Sequence, residues 1–412
     1  MSSGPARRAR SAGAIALTLC AVACGGGSLS GSGSDTGPVT PANNVVSVSV
    51  SAGPAGLSSP AINTLYTTVT VCVPGTSTCQ TIDNIQVDTG SYGLRILAPA
   101  LTLSLAVAKT SAGSALVECT EFVDGYSWGP LAVVDVQISG ETANSVPVQL
   151  IGDSRYPTVP DDCASVTPNS ENTVASFGAN GIIGIGPFAQ DCGSVCASSI
   201  PEPAIYYACS TSVSCTGTTL ATASQVQNPV TLFATDNNGT IISLPSVADT
   251  GAGDVVGSLI FGVGTQSNNS LGTVTVVPIT TSGVNVGFLT TVFDGTTLDS
   301  SFIDSGSNAL YFNDSNVTPC TETGFTAFYC PASAETLSGA FELADSSTVS
   351  ENFVVVSAET VTTSMTAFPG LAGTNPAPQS FDWGLPFFFG RKVATVIQGY
   401  TTSDGTGPYI AF

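Results

Sequence analysis

Ile85-Gln86-Val87-Asp88-Thr89-Gly90-Ser91 and Phe302-Ile303-Asp304-Ser305-Gly306-Ser307 are the two stretches on which the fold turns. In each, strand-forming residues run straight into an Asp-Thr/Ser-Gly turn. The tripeptide alone says little, and the chain carries a control copy at Asp249-Thr250-Gly251. That copy continues into Ala252-Gly253-Asp254 and then Ser258-Leu259-Ile260-Phe261, which predicts a Gly-rich turn before a strand. The other two copies lie 216 residues apart, and each has a downstream segment of two apolar residues followed by glycine, Ile182-Ile183-Gly184 and Phe388-Phe389-Gly390. This duplication predicts a chain built from two related halves.

Composition agrees with strands. The 412 residues include 44 glycines and 25 prolines, and only 9% are charged. Helices usually carry Glu and Lys on their exposed faces, so an all-β chain with many turns is expected. The length suffices for two cores of ordinary domain size.

There is no histidine anywhere. That removes Ser-His-Asp and Cys-His nucleophile arrangements and all His-ligated metal catalysts at once. Carboxylates remain, because two Asp or Glu groups can share acid and base roles when their environment splits their proton affinities.

The duplicated pattern resembles the pepsin-like aspartic peptidases over roughly residues 45–412. Three further matches lie in Asn180-Gly-Ile-Ile-Gly-Ile-Gly186, in Leu259-Ile-Phe-Gly262 followed by Ser270-Leu-Gly272, and in Val292-Phe-Asp-Gly-Thr-Thr297. The resemblance implies an all-β, bilobal fold with a cleft between lobes of about 45–225 and 226–412. It implies Asp88 and Asp304 as the catalytic pair, held about 3 Å apart so that they share one proton and activate a water. Thr89 and Ser305 would brace the two loops, Gly90 and Gly306 would let them approach, and Ser91 and Ser307 would bond the outer carboxylate oxygens. Ile182, Ile183, Gly184, Phe388, Phe389 and Gly390 would pack behind the loops. Over the cleft the family closes a hairpin flap with a tyrosine near its tip, which here falls in Glu121-Phe-Val-Asp-Gly-Tyr-Ser-Trp-Gly129, with Tyr126 and Trp128 as candidates. Arg95 stands near the position where the family commonly has tryptophan, and 192–222 looks like an insertion able to shape the groove. No cofactor or metal is expected, and the substrate would be a polypeptide.

The first 24 residues set Arg7, Arg8 and Arg10 before an apolar run that is too short for a membrane span and ends in Ala21-Val22-Ala23-Cys24. This resembles a bacterial lipobox with Cys24 as the lipidated residue. Ordinary signal cleavage without lipid is the competing reading. Residues 25–44 are Gly/Ser/Thr-rich and read as a flexible tether. The expected location is the cell envelope, as an outer-membrane lipoprotein facing the periplasm or the exterior, with membrane contact only through the lipid. Twelve cysteines less Cys20 and Cys24 leave ten, consistent with five disulfides in an oxidising compartment. Cys72/Cys79, Cys209/Cys215 and Cys320/Cys330 suit short loops, with Cys119, Cys163, Cys192 and Cys196 remaining and connectivity open; a metal site at Cys192-x-x-x-Cys196 is the competing reading. Without the leader, five basic residues face 29 acidic ones, or −24, which argues against nucleic acid as a partner. A monomer is expected.

Two other function classes fit a histidine-free acidic chain. One is a pepsin-fold binding or inhibitory lipoprotein without turnover. The other is a carbohydrate-active or carbohydrate-binding lipoprotein, although only Trp128 and Trp383 could supply tryptophan stacking on sugar rings.

Overall fold

The computed structural model describes residues 42–165 and 167–412. The leader, Cys24 and nearly all of the tether lie outside these residues. Among the described residues, no helix is long and apolar enough to cross a membrane.

The protein is all-β and bilobal. One 15-stranded sheet runs through both halves, and a 7-stranded sheet completes the second. The alternating pattern of Leu65–Cys72 and the apolar ends of Cys79–Asp88 and Tyr126–Ile138 make them half- or fully buried strands of the first half. They pair in antiparallel order, Leu65–Cys72 with Cys79–Asp88 and with Tyr126–Ile138. Val45–Val50 crosses to the other half and pairs along its whole length with Val255–Phe261, while touching Leu65–Cys72 only at Ser49 and Val50. Gly239–Ser243, Lys392–Val396 and Tyr409–Ala411 continue the same sheet. The main core therefore spans both halves, from Val48 and Val87 to Phe341, Trp383 and Ile410.

All ten cysteines of the described residues are paired: Cys72–Cys79, Cys119–Cys163, Cys192–Cys196, Cys209–Cys215 and Cys320–Cys330. The Cys192–Cys196 bridge removes the thiolates that a metal site there would need. Asp249-Thr250-Gly251 is an exposed turn closed by the Gly251 N–H donating to the Ala248 carbonyl, and it takes no part in the site described next.

Candidate active site

Each catalytic-type loop ends a strand and is held from behind by a second strand. Cys79–Asp88 pairs in parallel with Gly181–Ile185, matching Val87 to Ile183 and Asp88 to Gly184. Tyr92–Leu97 lies antiparallel on the other side of Gly181–Ile185. A Cβ on Gly184 would lie 2.4 Å from the Tyr92 nitrogen, so only glycine fits behind the turn.

The second half repeats this arrangement with a different segment from the one the sequence pattern suggested. Thr296–Ile303 pairs in parallel with Asp382–Trp383, matching Ile303 to Trp383, and the Asp304 N–H donates to the Trp383 carbonyl at 3.0 Å. A Cβ on Gly384 would lie 2.1 Å from the Ala309 carbonyl oxygen, as its counterpart at Gly184 would meet Tyr92. Asp382-Trp383-Gly384 thus occupies the place expected for Phe388-Phe389-Gly390. The latter leaves the site: Leu385–Phe388 turns into a short 3-10 helix packed in the core, and Phe389 bridges to Leu244. The pattern misled because the position matching Ile182 is taken by a buried acid.

Asp88 and Asp304 meet at the floor of a cleft of about 890 Å³, both essentially inaccessible to solvent. Their loops cross-brace one another symmetrically. The Thr89 hydroxyl accepts from the Ser305 N–H at 3.0 Å and donates to the Ile303 carbonyl at 3.2 Å. The Ser305 hydroxyl accepts from the Thr89 N–H at 3.1 Å and donates to the Val87 carbonyl at 2.9 Å. Gly90 and Gly306 N–H groups donate to the inner carboxylate oxygens, each at 2.7 Å. Ser91 and Ser307 hydroxyls donate to the outer ones, the latter at 2.8 Å. A Cβ on Gly90 would sit 2.7 Å from Asp304 Cγ, and one on Gly306 would sit 2.6 Å from Asp88 Oδ1. The carboxyls lie within hydrogen-bonding reach of one another. Burial first, then the charges of Asp88 and Asp382, hold Asp304 well above the usual carboxylate range. Such a pair keeps one proton between two oxygens, which is what activating a water requires.

The flap-like hairpin joins Ala115–Glu121 to Tyr126–Ile138, with Glu121 opposite Tyr126. That register places the turn at 122–125. Phe122, Val123 and Asp124 therefore face the cleft, while the flap candidates Tyr126 and Trp128 point inward. Trp128 packs edge-on against Tyr207 at 5.1 Å and donates from its indole N–H to the Tyr156 carbonyl. Tyr126 is buried in the same cluster, its backbone paired to Asn169 and Glu171. Both aromatics sit on the inner face because successive strand residues alternate, and neither reaches the cleft.

Arg95 is buried beneath this hairpin. Its guanidinium donates to Glu118 Oε1 at 2.8 Å, Asp191 Oδ2 at 3.1 Å, Thr120 Oγ1 at 2.9 Å and the Tyr92 carbonyl at 2.7 Å. Tyr206 donates to Asp191 at 2.6 Å. At the position where the resembled family commonly has tryptophan, a charge network ties the hairpin strand to the strand that follows Asp88. Residues 192–222 add Tyr206–Thr211 and Ser214–Gly217 to the outer edge of the hairpin sheet, and Pro203, Ala204 and Ile205 form part of the cleft wall.

Residues 40–412 match the sequence family described as Protein of unknown function (DUF3443). No curated protein sequence matches the chain. Among solved structures, the crystal structure of an aspartic proteinase from Irpex lacteus is similar, with a TM-score of 0.50 over 89% of this chain and 96% of that one, at 15% identity. At that identity the likeness establishes a common pepsin-like fold.

Proposed function

This chain belongs to the DUF3443 family, and within it we propose that it is an exported, lipid-anchored aspartic endopeptidase that hydrolyses peptide bonds with Asp88 and Asp304. The observation that carries this reading is the pair of buried carboxyls whose loops brace each other through Thr89 and Ser305 at the floor of an open cleft. The ionised member takes a proton from a water as its oxygen attacks the peptide carbonyl carbon. Its partner, still protonated, donates to the carbonyl oxygen. In collapse the first carboxyl passes its proton to the leaving nitrogen, the C–N bond breaks, and the second carboxyl recovers its proton from a hydroxyl of the tetrahedral species. The substrate is an unfolded or extended polypeptide, the protein acts as a monomer, and neither cofactor nor nucleic acid takes part. Residues 1–24 direct export, and Cys24 carries the lipid that holds the protein to the cell envelope, facing the periplasm or the exterior.

Protein purified without residues 1–24 should cleave unfolded protein at acid pH and be blocked by a statine-type inhibitor. Asp304→Asn should lower kcat by about 10³-fold, the scale of positioned acid-base catalysis, while Asp249→Asn leaves it unchanged. Activity surviving Asp304→Asn would overturn the mechanism. Incorporation of radiolabelled fatty acid into the full chain, lost in Cys24→Ala, tests the anchor.

A further inference from the structure

A third carboxyl stands at the site. Asp382 is 5% exposed and lines the cleft beside Asp304. Its Oδ2 lies 2.5 Å from the Ser307 hydroxyl, and that hydroxyl also lies 2.8 Å from Asp304 Oδ2. The other oxygen of Asp382, Oδ1, is buried with no hydrogen-bond partner.

A hydroxyl has one hydrogen to donate. It cannot donate to two ionised carboxylates at once, so for both contacts to be hydrogen bonds one carboxyl must supply a proton of its own. Asp304 Oδ1 already receives the Gly306 N–H, an arrangement suited to an anion or a shared proton. Among the described residues no backbone N–H donates to the Asp382 side chain, and an ionised Oδ1 there would be a buried charge with no protein donor. The titratable groups that face Asp382 are Asp304 from the adjoining loop, Asp88 from the other lobe and Tyr311 from the strand alongside. None carries positive charge. Arg95 is the one basic residue on the cleft wall among the described residues, and it is committed to Glu118 and Asp191.

We propose that Asp382 is a positioning residue for the carboxyl pair: as the neutral acid it donates from Oδ2 to Ser307 Oγ, which fixes the Ser307 hydrogen on Asp304 Oδ2. When Asp382 gives up its proton to water as pH rises, its Oδ2 becomes the stronger acceptor and Ser307 turns to it. Asp304 then loses a donor and gains a negative neighbour, and the pair no longer holds the arrangement needed for catalysis. The alkaline limb of activity is thus set by Asp382. Burial raises this carboxyl most, a hydrogen bond that the ionised form would accept from Ser307 opposes the shift, and Asp88's charge adds to it.

The inference rests on the peptidase reading for its consequence, so the test has one readout with activity and one without. Asn at 382 can donate from its amide to Ser307 and cannot ionise; Ala can do neither. Asp382→Asn should retain at least about half of wild-type kcat at the acid optimum, with its alkaline limb moved to higher pH. Asp382→Ala should lose about tenfold in kcat with little change in KM. The proposal is overturned if the Asn variant is as impaired as the Ala variant, or if its alkaline limb stays where it was. Independently, carbon-13 titration of the aspartate carboxyls should show, among those that remain protonated well above the ordinary range in the wild type, a group that is missing from Asp382→Asn. Titration of Asp382 in the ordinary range would refute the proposal whatever the activity. A wild type that shows that carboxyl and yet cleaves no peptide would instead sink the peptidase reading.

Discussion

Replacing Arg95 with methionine isolates the cost of the charge network under the flap. Methionine fills most of the stem volume and carries no charge, so the change removes a cation from between Glu118 and Asp191 while keeping the packing close to native. Arg95 and Glu118 are almost wholly inaccessible, so Glu118 would be left as a buried carboxylate and Asp191, at the edge of the cleft, would lose its counter-charge. Breaking a buried pair by removing one partner costs about 3–5 kcal/mol. The Thr120 hydroxyl and the Tyr92 carbonyl lose a donor as well. The penalty depends on pH with a definite sign. Burial, and then the charge of Glu118, already raise Asp191. A carboxyl raised in the folded state favours folding in acid, and that contribution is lost as pH rises through its folded value. Without Arg95 this dependence steepens, because only the Tyr206 hydrogen bond is left to oppose the rise. Urea unfolding with disulfides intact should therefore show a ΔΔG of about 3–5 kcal/mol near pH 7 that shrinks by at least half near pH 4, where the unfolded carboxyls also begin to hold their protons. A ΔΔG below about 1 kcal/mol at pH 7, or one that does not change with pH, would refute the assignment of Arg95 as a buried counter-charge.

Other substitutions test the loops and the bridges. Gly90→Ala should abolish activity and destabilise the fold, since its Cβ would lie 2.7 Å from Asp304 Cγ with no flexible neighbour to yield; activity assays and chemical unfolding read both effects. Thr89→Val keeps the shape but leaves the buried Ser305 N–H without its acceptor, which should cost about 1–3 kcal/mol in unfolding and lower kcat, because the second loop loses its brace. The Cys119–Cys163 bridge closes a separation of 44 residues and Cys192–Cys196 one of only 4, so loop entropy gives about 4 against about 2 kcal/mol. Paired Ser variants of the first bridge should accordingly lower the urea midpoint more than those of the second.

The Asp loops were legible because their chemistry is local: a strand end, a turn and a glycine appear together in Asp88-Thr89-Gly90 and Asp304-Ser305-Gly306. What backs the second loop was not. Choosing between Trp383-Gly384 and Phe389-Gly390 requires knowing which segment pairs with Ile303, a long-range register that apolar pattern alone does not specify, and the polar Asp382 broke the pattern at the true position. The flap failed for a related reason. A shift of its turn onto 122–125 reverses which residues face the cleft, so Tyr126 and Trp128 became core residues. The Asp249 turn was readable as structural, because it is followed by glycine and strand residues and has no partner segment. Of the disulfides, short loops suggested three, whereas Cys119–Cys163 joins the flap strand to a segment that only the tertiary fold brings near.

The strand Val45–Val50 has a consequence for the order of events during synthesis. It emerges first among the described residues, yet its main partner ends at Phe261, more than two hundred residues later. Until that partner is made, its other edge offers unpaired amides that any similar nascent chain could borrow. The late strand acts as a clasp: a chain truncated before Val255 keeps both Asp88 and its backing strand but leaves an open sheet, prone to pairing with copies of itself.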